Sequence, residues 1–127
     1  MGYYFSKTIS LPFDEAIAKV SEELKKEGFG ILTEIDVKET LKKKLDVDFR
    51  KYRILGSCNP PYAYKALQYE EMIGLMLPCN VVVQEKDGKV EVSAIDPIAS
   101  MQAVENEKLV SVALEVQAKL KKVIESV

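Results

Sequence analysis

The 127-residue chain contains no histidine. Serine–histidine and cysteine–histidine nucleophile pairs are therefore excluded within one chain, and so is every metal site built on imidazole. Charge of one sign is lacking too: 18 basic and 20 acidic residues are interspersed and leave a formal net charge of -2. A chain that binds nucleic acid carries a basic patch or stripe, so a nucleic-acid partner is not expected. No apolar run approaches the length of a membrane span. The opening Met1-Gly-Tyr-Tyr-Phe-Ser-Lys7 lacks the charged and apolar regions of a signal peptide, and the expectation is a cytoplasmic protein without a membrane partner. There are only two cysteines, Cys58 and Cys79. In a reducing compartment they are expected as thiols rather than as a structural disulfide.

What is present is enough apolar residue, 47% of the chain, to bury one core and not two, which points to a single domain over residues 1–127. Tyr3 to Ile9 reads as an opening strand. Phe13, Ile17, Val20 and Leu24 recur at helical spacing, with acids after Pro12, lysines before the end, and Gly28 as the stop. Phe29 to Val37 reads as a half-buried strand with Phe29, Ile31, Thr33 and Ile35 on one face. Asp36-Val-Lys-Glu39 has the spacing of a capping box, opening a short helix through Leu41 and Leu45. Tyr52 to Cys58 is a third strand. It stops at Asn59-Pro60-Pro61, where Asn59 can accept from first-turn amides and a helix follows with Ala63, Ala66 and Leu67 on its buried side. Asp87-Gly88 between Val81–Gln84 and Val90–Ala94 predicts a two-residue hairpin. A short helical turn follows Asp96-Pro97, and a long helix starts near Glu105 with Leu109, Ala113, Val116, Leu120 and Val123 on one side. This order favours an α+β fold in two layers, with the main helices on one face of a mostly antiparallel five-stranded sheet.

Two Cys-Asn pairs stand out, in Leu55-Gly-Ser-Cys-Asn-Pro-Pro61 and Leu77-Pro-Cys-Asn-Val81. Together with Gly28-Phe-Gly-Ile-Leu-Thr-Glu-Ile-Asp-Val37 and Asp48-Phe-Arg-Lys-Tyr-Arg53, they make the chain resemble the family called domain of unknown function three-zero-two (DUF302). The resemblance covers nearly the whole chain. It implies a TBP-like two-layer arrangement with a curved sheet and a homodimer, and it brings no established activity.

If the last four strands run as an up-and-down meander, as that fold implies, Cys58 closes one strand, Cys79 opens the next and Asp96 follows the last. All three then reach one end of the sheet, while Glu34 and Asp36 fall at the other. Asn59, Pro60 and Asn80 flank them, so Cys58, Asn59, Pro60, Cys79, Asn80 and Asp96 are the candidate ligand-binding residues. Cys58 precedes a helix N-terminus, where a thiolate is stabilised. Two thiolates and a carboxylate, Cys58, Cys79 and Asp96, are an acceptable set for zinc, although the four-cysteine spacing of a structural zinc site is missing. The plainer reading is packing and capping: small buried thiols, with Asn59 and Asp96 as helix caps. Tyr3, Tyr4 and Phe5 are expected in the first-strand core and dimer surface. Three functions follow as expectations: a small-ligand or metal-ion binding module with its pocket at Cys58/Cys79/Asp96, a thiol enzyme or redox sensor using Cys58 with Cys79 as partner, or a purely structural interaction protein.

Overall fold

The structure, a computed structural model, describes residues 2–127. Its elements are β1 (Tyr4–Ile9), α1 (Phe13–Lys26), β2 (Gly30–Asp36), α2 (Val37–Leu45), β3 (Tyr52–Cys58), α3 (Pro60–Tyr69), a 3-10 segment (Glu71–Met76), β4 (Cys79–Lys86), β5 (Lys89–Ile95), α4 (Pro97–Ser100) and α5 (Lys108–Ser126). The five strands form one sheet in the order β1-β5-β4-β3-β2, and every neighbouring pair is antiparallel. The last four strands are thus the expected meander. The 3-10 segment, with Ile73 fully buried, falls where the sequence had shown no element.

Local chemistry explains most of the boundaries. Asp87 and Gly88 both take positive φ, 53° and 76°, as the hairpin between β4 and β5 requires. The Glu39 amide donates to Asp36 Oδ1 at 3.0 Å, so Asp36 caps α2 as its spacing suggested. Helix α1 buries Phe13, Ala16, Val20 and Leu24, and α5 buries Leu109, Val112, Ala113, Val116, Leu120 and Val123. These two helices cover one face of the sheet, meeting the inward row Leu55, Val81, Val83, Val90, Val92 and Ala94 in a single core.

Two expectations about facing are corrected. Between Ile31 and Thr33 the register of β2 against β3 shifts, with Ile31 opposite Ser57 and Thr33 opposite Gly56. A residue inserted into a strand reverses the side on which every later side chain lies. Ile31 therefore packs against the core, whereas Ile35 points away from it and is 47% exposed. On α3 the buried residue is Ala66 and Leu67 lies outside, because the helix meets the core along a single narrow row.

Candidate functional site

The rim predicted from the meander exists in the backbone. Ser57 pairs with Cys79 and Gly56 with Asn80, while Val81 pairs with Ala94, so the end of β3, the start of β4 and the end of β5 adjoin. Side-chain direction then divides the six candidates. Cys58, Asn59 and Cys79 line one cavity beneath α3 and α5, together with Phe29, Ala66 and Met101. Asn80, next to Cys79 on a strand, points to the opposite face. Pro60 is exposed.

Asp96 is drawn elsewhere. Its Oδ1 accepts from the Ile98 amide and from Gln117 Nε2, both at 3.0 Å, so it caps α4 and anchors α5. Among the described residues, no three of Cys, Asp and Glu are grouped to hold a metal ion. The zinc set of Cys58, Cys79 and Asp96 is corrected on that ground: its one carboxylate is spent on a cap.

Asn59 is also not the side-chain cap expected. Pro60 and Pro61 occupy the first two positions of α3 and have no N–H, so the carboxamide has little to accept. Its Nδ2 instead donates at 3.0 Å to the Glu27 carbonyl, tying the end of α1 to the start of α3. Gly28, at φ 90°, turns the chain directly beneath it.

The same two prolines weaken the argument for an activated Cys58. Burial pushes its thiol up from its ordinary value, opposite to the shift expected beside a helix N-terminus. Burial, and then the neighbouring Cys58, push Cys79 up to about 11 from 9.0. Iodoacetamide at neutral pH should therefore modify both more slowly than free cysteine, and Cys79 more slowly than Cys58; rapid modification of Cys58 by mass spectrometry would contradict this. The linkage has a definite sign. Because the unfolded thiol ionises first as pH rises, the contribution of Cys79 to stability is intact below about pH 9 and is lost toward pH 11. It amounts to about 2–3 kcal/mol. Urea unfolding between pH 8 and 11 should show that loss in the parent and not in Cys79→Val.

At the far rim, Arg53 binds both expected carboxylates, with Nη1 to Glu34 Oε2 at 2.8 Å and Nη2 to Asp36 Oδ2 at 3.5 Å. Paired to one guanidinium, they form a structural clamp rather than an acid/base pair.

The cysteine cavity is small, about 30 Å³, enough for about one water-sized occupant. A much larger groove of about 330 Å³ lies on the helix-free face of the sheet. Alternation along the strands builds it: Tyr4 from β1, Glu91, Ser93 and Ile95 from β5, Asn80, Val82 and Gln84 from β4, and Tyr52 from β3. Val82, Gln84, Glu91, Ser93 and Ile95 are half-buried although no helix covers them. Tyr3 and Tyr4 stand at one end, their rings edge to face at 5.1 Å. A polar chain crosses the other end: Arg50 Nε donates to Gln84 Oε1 at 2.9 Å, and Gln84 Nε2 donates to Glu91 Oε1 at 3.3 Å. Arg50 in turn rests on the Phe49 and Tyr52 rings. Sequence reading missed this groove, although the alternation of Asn80, Val82 and Gln84 with Val81 and Val83 carried its signal.

A five-stranded antiparallel sheet with helices on one face and a wide groove on the other defines a two-layer α+β protein. The chain belongs to the family described as Domain of unknown function DUF302, whose model matches residues 5–127. It is similar to an uncharacterized conserved DUF302 protein from Bacillus stearothermophilus, known from a crystal structure. That likeness has a TM-score of 0.91 and 28% identity, and covers 98% of this chain and 97% of that one. No match is found among curated proteins. Among the described residues, no helix is long and apolar enough to cross a membrane.

Proposed function

We propose that this chain is a non-catalytic binding module whose small-molecule site is the groove on the helix-free face of the sheet. The observation that carries the reading is the lining of a depression large enough for a ligand. Small-molecule pockets run to about 300–1,000 Å³ and are mostly apolar with a few polar groups. The cysteine cavity of about 30 Å³ is too small, and two larger depressions of about 460 and 440 Å³ are lined almost wholly by charged side chains. The groove of about 330 Å³ combines the size with a mixed lining of aromatic, aliphatic and half-buried polar residues. The lining suits a flat, partly apolar molecule with hydrogen-bonding groups at one edge. Val82, Ile95 and the tyrosine rings supply the apolar contact. Asn80, Ser93 and the Gln84–Glu91 pair supply a few polar groups to orient it. The thiol-enzyme reading loses its support, since both thiols are pushed up by burial and the chain has no histidine to act as their base.

A thermal-shift screen with flat heteroaromatic amides, amines and carboxylates tests the reading. Hits should lose at least about tenfold in affinity, or 1.4 kcal/mol, in Ser93→Arg, which fills the groove from a half-buried position. Hits that bind Ser93→Arg as they bind the parent would refute the site.

A further inference from the structure

We infer that Cys58, Cys79 and Met101 form a binding site for a single soft monovalent cation of the copper(I) class, independent of the groove and behind the sheet from it. The three sulfur-bearing residues come from three elements, the end of β3, the start of β4 and the residue that ends α4; all three line one cavity, and Cys58 is near enough to act on the Cys79 thiol. Its volume of about 30 Å³ admits an ion or a water and no organic molecule of useful size. What surrounds the sulfurs is apolar: Phe29, Ala66 and Val112 close the cavity.

Donor chemistry then selects the ion. Thiolate and thioether sulfur favour copper(I), and thioether is a poor ligand for magnesium, calcium or manganese. Zinc in a structural site takes four donors, usually with more than one anion among them. Here the nearby polar side chains are held by other parts of the chain, and Asp96 does not line the cavity. Asp96 Oδ1 accepts from the Ile98 amide and Gln117 Nε2, Ser57 Oγ donates to the Cys79 carbonyl at 2.7 Å, and Asn59 Nδ2 donates to the Glu27 carbonyl. A monovalent ion needs less. It displaces the proton of Cys58, the less buried thiol, to solvent; the resulting thiolate balances its charge, the Met101 thioether is the second donor, and Cys79 keeps its proton and packs beside the ion. The filled cavity carries no net charge, which an apolar enclosure requires.

The test uses the reduced, full-length chain with silver(I) as an oxidation-stable stand-in and copper(I) under anaerobic conditions. After one equivalent is added and the protein is desalted, elemental analysis should find about one ion per chain, and zinc carried through the same steps should be lost. Competition with a chromogenic copper(I) chelator should show that Cys58→Ser and Met101→Leu each weaken binding at least about tenfold. Neither change removes a fully buried side chain, so circular dichroism should report an intact fold in both. Silver should also raise the melting temperature of the parent and not of Cys58→Ser. Failure to retain silver, retention of zinc in preference to it, or affinity unmoved by Met101→Leu would each overturn the assignment. None of these outcomes touches the groove, whose ligands are read by Ser93→Arg.

Discussion

Leu55→Ala is expected to lower the unfolding free energy by about 2–5 kcal/mol, the cost of deleting a buried leucine and leaving part of its space unfilled. Leu55 is fully buried on the helix-facing side of β3, opposite Val81 of β4 and Glu34 of β2. It belongs to the core that α1 and α5 close. A domain of this size is stable by only about 5–15 kcal/mol, so one such deletion removes a large share of the total. The measurement is the urea midpoint at unchanged slope. Leu32→Ala supplies the contrast. Leu32 lies at the register shift of β2 and is 68% exposed, so its truncation should stay within about 0.5 kcal/mol. Equal costs at the two positions would mean that the face assignment of β2 and β3 is wrong.

Gly56→Ala should cost about 1–3 kcal/mol for a different reason, overpacking rather than cavity formation. A β-carbon at Gly56 would overlap Thr33 Oγ1 and lie 2.9 Å from Pro78 Cγ. The threonine can rotate away, but the proline ring just before Cys79 cannot yield without moving the start of β4. Thr33→Ala in the same chain should therefore recover part of the loss and leave a remainder due to Pro78, a coupling that a double-mutant cycle measures. Gly30→Ala and Gly74→Ala are the controls. An added β-carbon meets nothing within 4 Å at either position, so neither should bring the overpacking loss of Gly56→Ala.

The elements were legible because they rest on local signals: the Asp87-Gly88 turn, the Asp36 cap and the apolar faces of α1 and α5 each fix one of them. The up-and-down order of the last four strands, and with it the nearness of Cys58, Cys79 and Asp96 in the backbone, was what the family resemblance implied. Side-chain direction was less legible. One residue of phase separates Cys79, in the core, from Asn80, on the open face, and one extra residue at Leu32 turns Ile35 outward. Long-range partners were not legible at all. Nothing near Asp96 in the chain announces Gln117, and nothing near Asn59 announces the Glu27 carbonyl. The groove escaped because Gln84, Glu91 and Ser93 read singly as solvated strand residues. Only the finished sheet shows that they share one uncovered face with Tyr4 and Tyr52. Met101 escaped because it lies between α4 and α5, where no pattern assigned it a neighbour.

The most direct check of the two-faced account is amide chemical-shift mapping of whichever small molecule binds tightest. The account requires the largest shifts at Val82, Gln84, Glu91 and Ser93, on the strands that floor the groove. Shifts confined to Ala66, Val112 and Val116, around the cysteine cavity, would place the ligand behind the sheet and contradict it.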